Sequence, residues 1–219
     1  MNPAAESQTG RLAKLANVAL AVVLLAATPV AFAVPITGLF NTGVDGSGNA
    51  LAAGSADPHY SLLAPSQPAT VIKNGIPGTW VPNSATYRWI WEDVNGQPTN
   101  VTRTIRTTFD LTGLDHTTAQ IAGLWATDNT GLDILINGVG TGNTCVGFNS
   151  FCGFAVNSGF VAGVNTLDFK VNDFGVISGL LVGRIVGTAD PANGVPEPTT
   201  LLLLGLGIAG LGFARKRLN

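Results

Sequence analysis

Of the 219 residues, 46% are hydrophobic and only 11% charged, with 28 glycines and a formal net charge of −2. Five of the 11 Lys and Arg sit at the two ends (Arg11, Lys14, Arg215, Lys216, Arg217), so six basic residues face eleven acidic ones over residues 34–194, leaving −5 there. A mildly acidic body without a basic cluster argues against nucleic acid as a partner, and its length suits one domain with a real core rather than two.

Residues 1–33 read as a secretory signal peptide. Arg11 and Lys14 supply the positive start, residues 15–30 an apolar run interrupted by Asn17 and Thr28, and Ala31-Phe32-Ala33 a small-x-small cleavage site that would leave Val34 as the new N-terminus. An uncleaved anchor is the alternative, and the small residues at Ala31 and Ala33 weigh against it. Residues 36–56 are rich in Gly, Asn and Ala, as a strand with a long loop or an irregular segment would be. Asp57-Pro58-His59-Tyr60 is expected as a turn leading into residues 61–63, and residues 71–73 as a short strand ended by Asn74-Gly75.

Over residues 85–92 the pattern alternates, with Tyr87, Trp89 and Trp91 on one face of an expected strand. Residues 103–111 alternate clearly: Ile105, Phe109 and Leu111 share a face opposite Arg106, Thr108 and Asp110. Thr112-Gly113 turns the chain into a more continuously apolar strand over 120–127. Residues 128–131 form a loop, and residues 132–136 place Leu132, Ile134 and Ile136 inward. Asn137-Gly138 is a hairpin turn, since both residues tolerate positive φ. After Gly163-Val164-Asn165, residues 166–171 alternate again, with Leu167, Phe169 and Val171 on one side. Residues 179–186 are expected as the last strand and residues 189–194 as a linker. Strands and turns at this spacing mean an all-β sandwich or barrel.

Within this body, Asp133-Ile134-Leu135-Ile136-Asn137-Gly138, a Gly/Asn loop with Phe148, Phe151, Phe154 and Phe160, and Gly163-Val164-Asn165-Thr166-Leu167 resemble the galactose-binding-like jelly rolls. The resemblance implies a jelly-roll β-sandwich over residues 34–190, in which Asn-Gly makes a hairpin turn and Gly-x-Asn opens a core strand. These are structural motifs and transfer no binding residues.

Candidate chemistry is sparse. Cys145 and Cys152 are the only cysteines, and in an exported chain a disulfide is the natural assignment. His59 and His116 lie in expected turns, no G-x-S-x-G elbow occurs, and Glu92, the one glutamate of the body, sits beside Asp93 where glycoside hydrolysis would need two carboxylates across a cleft. No catalytic residue is assigned. Tyr87, Trp89 and Trp91 could line a sugar-stacking platform, the candidate ligand site, or pack the interior, which is the favoured reading because their burial contributes so much. Asp128, Asn129 and Asp133 are candidate ligands for a structural calcium, which many jelly rolls carry, although Asx residues in loops more often cap backbone. No other cofactor or metal is expected.

The chain closes with residues 191–219, a linker and tail. Val195-Pro196-Glu197-Pro198 breaks any preceding structure, an uncharged Leu/Gly-rich stretch makes an expected helix over 200–214, and Arg215-Lys216-Arg217 follows. The order of parts resembles the PEP-CTERM sorting signal of Gram-negative bacteria, and Ala126-Thr127-Asp128-Asn129 resembles the bodies of other such proteins. The resemblance implies recognition and processing by exosortase-type machinery, with the apolar helix held in the membrane beforehand. Over residues 199–214 that helix would be roughly 24 Å long, short of the roughly 30 Å hydrocarbon core, so it spans only with local thinning or snorkelling of the basic side chains. A weak permanent anchor is the alternative. Gly205-Leu206-Gly207-Ile208-Ala209-Gly210 fits G-x-G-x-x-G but follows no strand, so it is no dinucleotide site. The basic end stays in the cytoplasm by the positive-inside rule, which puts the body outside. The sequence therefore reads as a non-enzymatic component of the cell envelope, cell surface or extracellular (biofilm) matrix with polysaccharide as candidate ligand. A secreted glycan-active enzyme and a purely structural adhesin are the alternatives.

Overall fold

The computed structural model describes residues 32–73, 76–192 and 204–208. The expected signal peptide up to residue 31, the Asn74-Gly75 turn and the Pro-Glu-Pro segment lie outside the described residues. The chain divides into a unit of Ala31–Val195 and a second of Met1–Val30 with Pro196–Asn219. In the second, residues 204–208 are helical, and the rest of the expected 200–214 helix lies outside the described residues. Among the described residues no helix is long and apolar enough to cross a membrane.

The regular structure described in the larger unit is all strand: β1 (Val34–Pro35), β2 (Ala56–Leu62), β3 (Gln67–Val71), β4 (Ile90–Trp91), β5 (Thr102–Asp110), β6 (Leu114–Asp128), β7 (Thr130–Ile136), β8 (Val139–Gly140), β9 (Cys145–Val146), β10 (Cys152–Val156), β11 (Val164–Asn172) and β12 (Gly179–Pro191). They form one open antiparallel sheet in the order β10-β6-β12-β4-β3-β2-β5-β11-β7-β8, with β1 added to β12 and β9 to β7. The sheet folds back on itself like a sandwich. Phe169 on β11 meets Trp125 on β6 and Phe154 on β10 with ring centroids 5.7 and 5.8 Å apart, so residues near the two ends of the strand order share one core.

Alternation explains the simplest strands. On β5, Ile105 and Phe109 are buried and Thr108 and Asp110 exposed; on β11, Leu167, Phe169 and Val171 are buried. Asp168, on the opposite side of β11, is also buried, because Arg106 of the paired strand covers it with two hydrogen bonds of 2.7 Å. The Asn137-Gly138 turn joins β7 to β8 with φ of 50° and 81°, the left-handed pair that a two-residue hairpin requires.

Elsewhere the structure corrects the reading of the sequence, each time for a local reason. Residues 57–60 belong to β2 rather than a turn. The β2–β3 register jumps between Ala56 and Ser61, around Pro58, which cannot donate to a ladder; the Asp57 carboxylate instead accepts from the His59 and Tyr60 N–H groups at 2.8 and 3.2 Å. The strand expected over residues 85–92 shrinks to Ile90–Trp91 because irregular chain wedges in beside it. Arg88 N–H donates to the Thr42 carbonyl, and Thr42 N–H to Val182 on β12. Thr42 Oγ1 completes the bridge, donating to the Arg88 carbonyl at 2.8 Å and accepting from Val182 N–H at 2.9 Å.

Leu132 points out, 40% exposed, rather than inward. Lys170 pairs with Asp133 but Val171 with Gly131, so Leu132 is the extra residue of a β-bulge, which reverses the alternation on its N-terminal side. His116 lies on β6 rather than in a turn, and β12 runs to Pro191, so the segment expected as a linker from residue 189 is strand for its first three residues.

Candidate functional site

One end of the body gathers four connecting segments, and their backbone bonds show how. Asn129, between β6 and β7, donates its N–H to the Asn172 carbonyl at 3.2 Å, while Gly147 N–H donates to the Asn129 carbonyl at 3.0 Å. Asn129 Oδ1 accepts from Phe174 N–H at 2.7 Å. Asp173 Oδ2 accepts from the N–H groups of Asn100 and Gly175 at 2.8 and 2.9 Å, and Gln97 Nε2 donates to the Val176 carbonyl at 2.9 Å. Gly96 has φ of 71°, and a Cβ there would meet Ile177 Cγ1 at 2.5 Å, so only glycine lets this turn lie against the 173–178 loop.

That loop holds two apolar side chains in water. Phe174 is 70% exposed and Val176 88%, and Val176 has φ of 80°, a conformation that a β-branched residue adopts only under constraint. Beneath it, Asp128 and Asp173 are buried. Burial first, and the nearby Asp173 charge second, push the Asp128 carboxyl up to about 7, while the neighbouring Trp80 indole pulls the other way.

The aromatic row is not a platform. Trp89 and Trp91 are fully buried, and both find partners for their indole N–H: Trp89 Nε1 donates to the Val81 carbonyl at 2.8 Å and Trp91 Nε1 to Pro98 at 3.0 Å. Trp80 packs on Trp89 with centroids 4.3 Å apart. Tyr87, half-buried, meets Phe151 edge-on at 5.6 Å. Trp89 and Trp91 thus take the interior place that was the favoured reading, and neither offers a sugar a face to stack on, while Tyr87 remains half-buried.

Cys145 and Cys152 are bonded, with Cα atoms 5.6 Å apart. Cys145 pairs with Gly131 on β7 and Cys152 with Trp125 on β6, so the bond links strands that lie far apart in the sheet order. The proposed calcium ligands divide. Asp133 is turned to the β7–β8 hairpin, where its Oδ1 accepts from Ile134 and Gly142 N–H at 2.8 and 2.9 Å. Asp128 and Asn129 stay at the loop end, where Asp173 joins them. His59 stacks on Phe40 with ring centroids 3.6 Å apart, and Glu92 is held by Arg103.

Asp173, Phe174, Val176 and Gln97 carry this end and were not singled out in the sequence. Asp173 was within reach: β11 pairs antiparallel with β7, so the residue after β11 falls beside the one before β7.

Comparison with protein families matches residues 194–217 to the PEP-CTERM protein-sorting motif. The chain carries a PEP-CTERM sorting signal. It therefore has the address of an exported protein of Gram-negative bacteria, processed by exosortase-type machinery. The PEP-CTERM match takes in Val195, Pro196, Glu197, Pro198, Arg215, Lys216 and Arg217, all outside the described residues. No curated protein matches the chain.

Proposed function

We propose that this protein is a non-enzymatic component of the cell surface or extracellular matrix, sorted through its PEP-CTERM signal, with a galactose-binding-like jelly-roll body that contacts exopolysaccharide. The sorting signal behind a single all-β unit carries the reading. For the jelly roll, support comes from the two motif asparagines. Asn137 Nδ2 donates to Asn165 Oδ1 at 2.8 Å, tying the hairpin turn to the start of β11 as an Asn-Gly and Gly-x-Asn pair of structural motifs would. For polysaccharide contact, support comes from Phe174, an aromatic ring held out 70% exposed at a loop end, as stacking on a sugar ring would require. The absence of catalysis is favoured by the engagement of Glu92 with Arg103.

A glycan array on residues 34–191 tests the reading. Selective retention that Phe174→Ala abolishes supports it. Hydrolysis of any bound glycan would replace it with the enzyme, and inertness toward all glycans with a structural adhesin.

A further inference from the structure

β2 opens with Ala56-Asp57-Pro58-His59. A peptide bond between Asp and Pro is unusually labile. The proline nitrogen is a tertiary amide that takes a proton and leaves readily, and the Asp carboxylate is a nucleophile within reach of its own main-chain carbonyl. The chain has two such bonds in the same Ala-Asp-Pro context, Asp57–Pro58 and Asp190–Pro191, and the fold treats them differently. Asp57 is 2% exposed, and three backbone donors fix its carboxylate: His59 and Tyr60 N–H on Oδ1 at 2.8 and 3.2 Å, Gly43 N–H on Oδ2 at 2.7 Å. The first two fold the side chain forward alongside the Asp57–Pro58 peptide. Burial raises this carboxyl above its ordinary value, against the pull of the backbone bonds and of His59, and a more basic carboxylate is a stronger nucleophile. Pro58 is exposed, and the ladder to β3 is interrupted between Ala56 and Ser61. His59, stacked on Phe40, has its Nε2 buried without a hydrogen-bond partner. Asp190 is less buried, and its carboxylate takes no backbone N–H among the described residues.

We propose that the Asp57–Pro58 bond cleaves itself once per chain, and that the anhydride left at Asp57 acylates a hydroxyl, of water or of a polysaccharide. A carboxylate oxygen of Asp57 attacks the Asp57 main-chain carbonyl carbon, closing a cyclic anhydride as the C–N bond to Pro58 breaks. The Pro58 nitrogen takes a proton from the His59 imidazolium and departs as an amine. A hydroxyl then adds to the anhydride and opens it, giving the acid from water or an ester from a sugar, and its proton returns to the imidazole. No oxidant or reductant enters. Residues 34–57 stay in place afterwards, because Ile36 and Thr42 N–H bond to Gly187 and Val182 on β12, and Ala50 N–H to Ala85. Transfer to a polysaccharide rests on the function proposed above. Cleavage does not, since water completes it.

The test incubates the full-length protein in detergent at about pH 6, below the ordinary imidazole pKa, and reads it by denaturing mass spectrometry. A fragment ending at Asp57 and a new amino terminus at Pro58 should accumulate roughly tenfold faster than cleavage at Asp190–Pro191. The two pieces should co-elute until denatured, and in urea the preference should vanish. Asp57→Asn should stop the cleavage. So should Pro58→Ala, at an exposed position that leaves the carboxylate in place, and His59→Gln should slow it by roughly tenfold or more. Hydroxylamine should trap the anhydride as a hydroxamate at Asp57, and concentrated glycerol, standing for the sugar hydroxyls, as an ester. An intact chain overturns the proposal, as does equal cleavage at the two Asp–Pro bonds of the folded protein, or undiminished cleavage in Pro58→Ala. Cleavage with a hydroxamate but no glycerol ester overturns the transfer to sugar alone and leaves the Phe174 reading to the glycan array.

Discussion

At the scale of single residues, Asp128 makes a contribution to pH dependence whose sign follows from its burial. Its carboxyl is raised from 3.8 to about 7, so between those values the unfolded chain has released a proton that the folded chain still holds. Stability from this group is therefore fully present below about pH 4 and is lost as pH rises through about 7. In EDTA, the urea midpoints of Asp128→Asn and the unmodified protein should nearly coincide at pH 4.5 and separate in favour of the variant by pH 7.5. Midpoints that stay parallel across the range would place the raised carboxyl elsewhere. Trp89 gives the second residue-level expectation. Replacing a fully buried tryptophan with alanine removes its packing on Trp80 and an indole hydrogen bond, and Trp89→Ala should cost roughly 3–5 kcal/mol in a urea melt. An unchanged midpoint would contradict its place in the core. The burial of Trp89 and Trp91 was legible as the energetic choice for large rings in a glycine-rich chain. The expectation of a regular strand around them failed because hydrophobic alternation does not reveal which segment will supply the hydrogen bonds, and here Thr42 does so from more than forty residues away.

At the scale of elements, the strands that were legible are those whose two faces meet different surroundings, such as β5 and β11. Three features hid the others. The bulge at Leu132 reversed the alternation within β7, Asp57 replaced ladder bonds inside β2, and β6 and β12 pair far beyond their apolar centres, out to Leu114 and Pro191. The candidate site was legible only in part, as Asp128 and Asn129, because its other half comes from a strand that pairing brings alongside. Asn165 shows how much one side chain can organise between elements. It is fully buried, accepts from Val161 N–H and Asn137 Nδ2, and donates to the Val161 and Gly163 carbonyls, all within 2.9 Å. Asn165→Ala should cost roughly 2–5 kcal/mol by leaving several of these groups unpaired, and should expose the β7–β8 hairpin to faster amide exchange. Unaltered exchange at Asn137 and Gly138 would refute that coupling. The disulfide acts at the same scale. Cys145 and Cys152 are separated by seven positions, and closing so short a loop stabilises by roughly 2–3 kcal/mol. Reduction should lower the urea midpoint accordingly without unfolding the protein outright.

For the whole molecule, the sorting signal sets the expectation for the mature form. Protein recovered from its native envelope should have lost the tail beyond about the Pro-Glu-Pro region, together with residues 1–33, and intact-mass measurement reads both at once. Native protein that retains residues 201–219 would make the tail a permanent anchor. The body is joined to this tail through the residues that follow β12. This strand lies inside the sheet, between β6 and β4, and its ladder with β6 runs from Gly179 opposite Asp128 to Pro191 opposite Leu114. The exposed Phe174 loop and the C-terminal exit thus stand at opposite ends of one long antiparallel pair. Were a polymer held at the loop and the chain tethered at its tail, the traction would run along the covalent backbone of β12 itself, so that its ladder hydrogen bonds to β6 would carry little of the load.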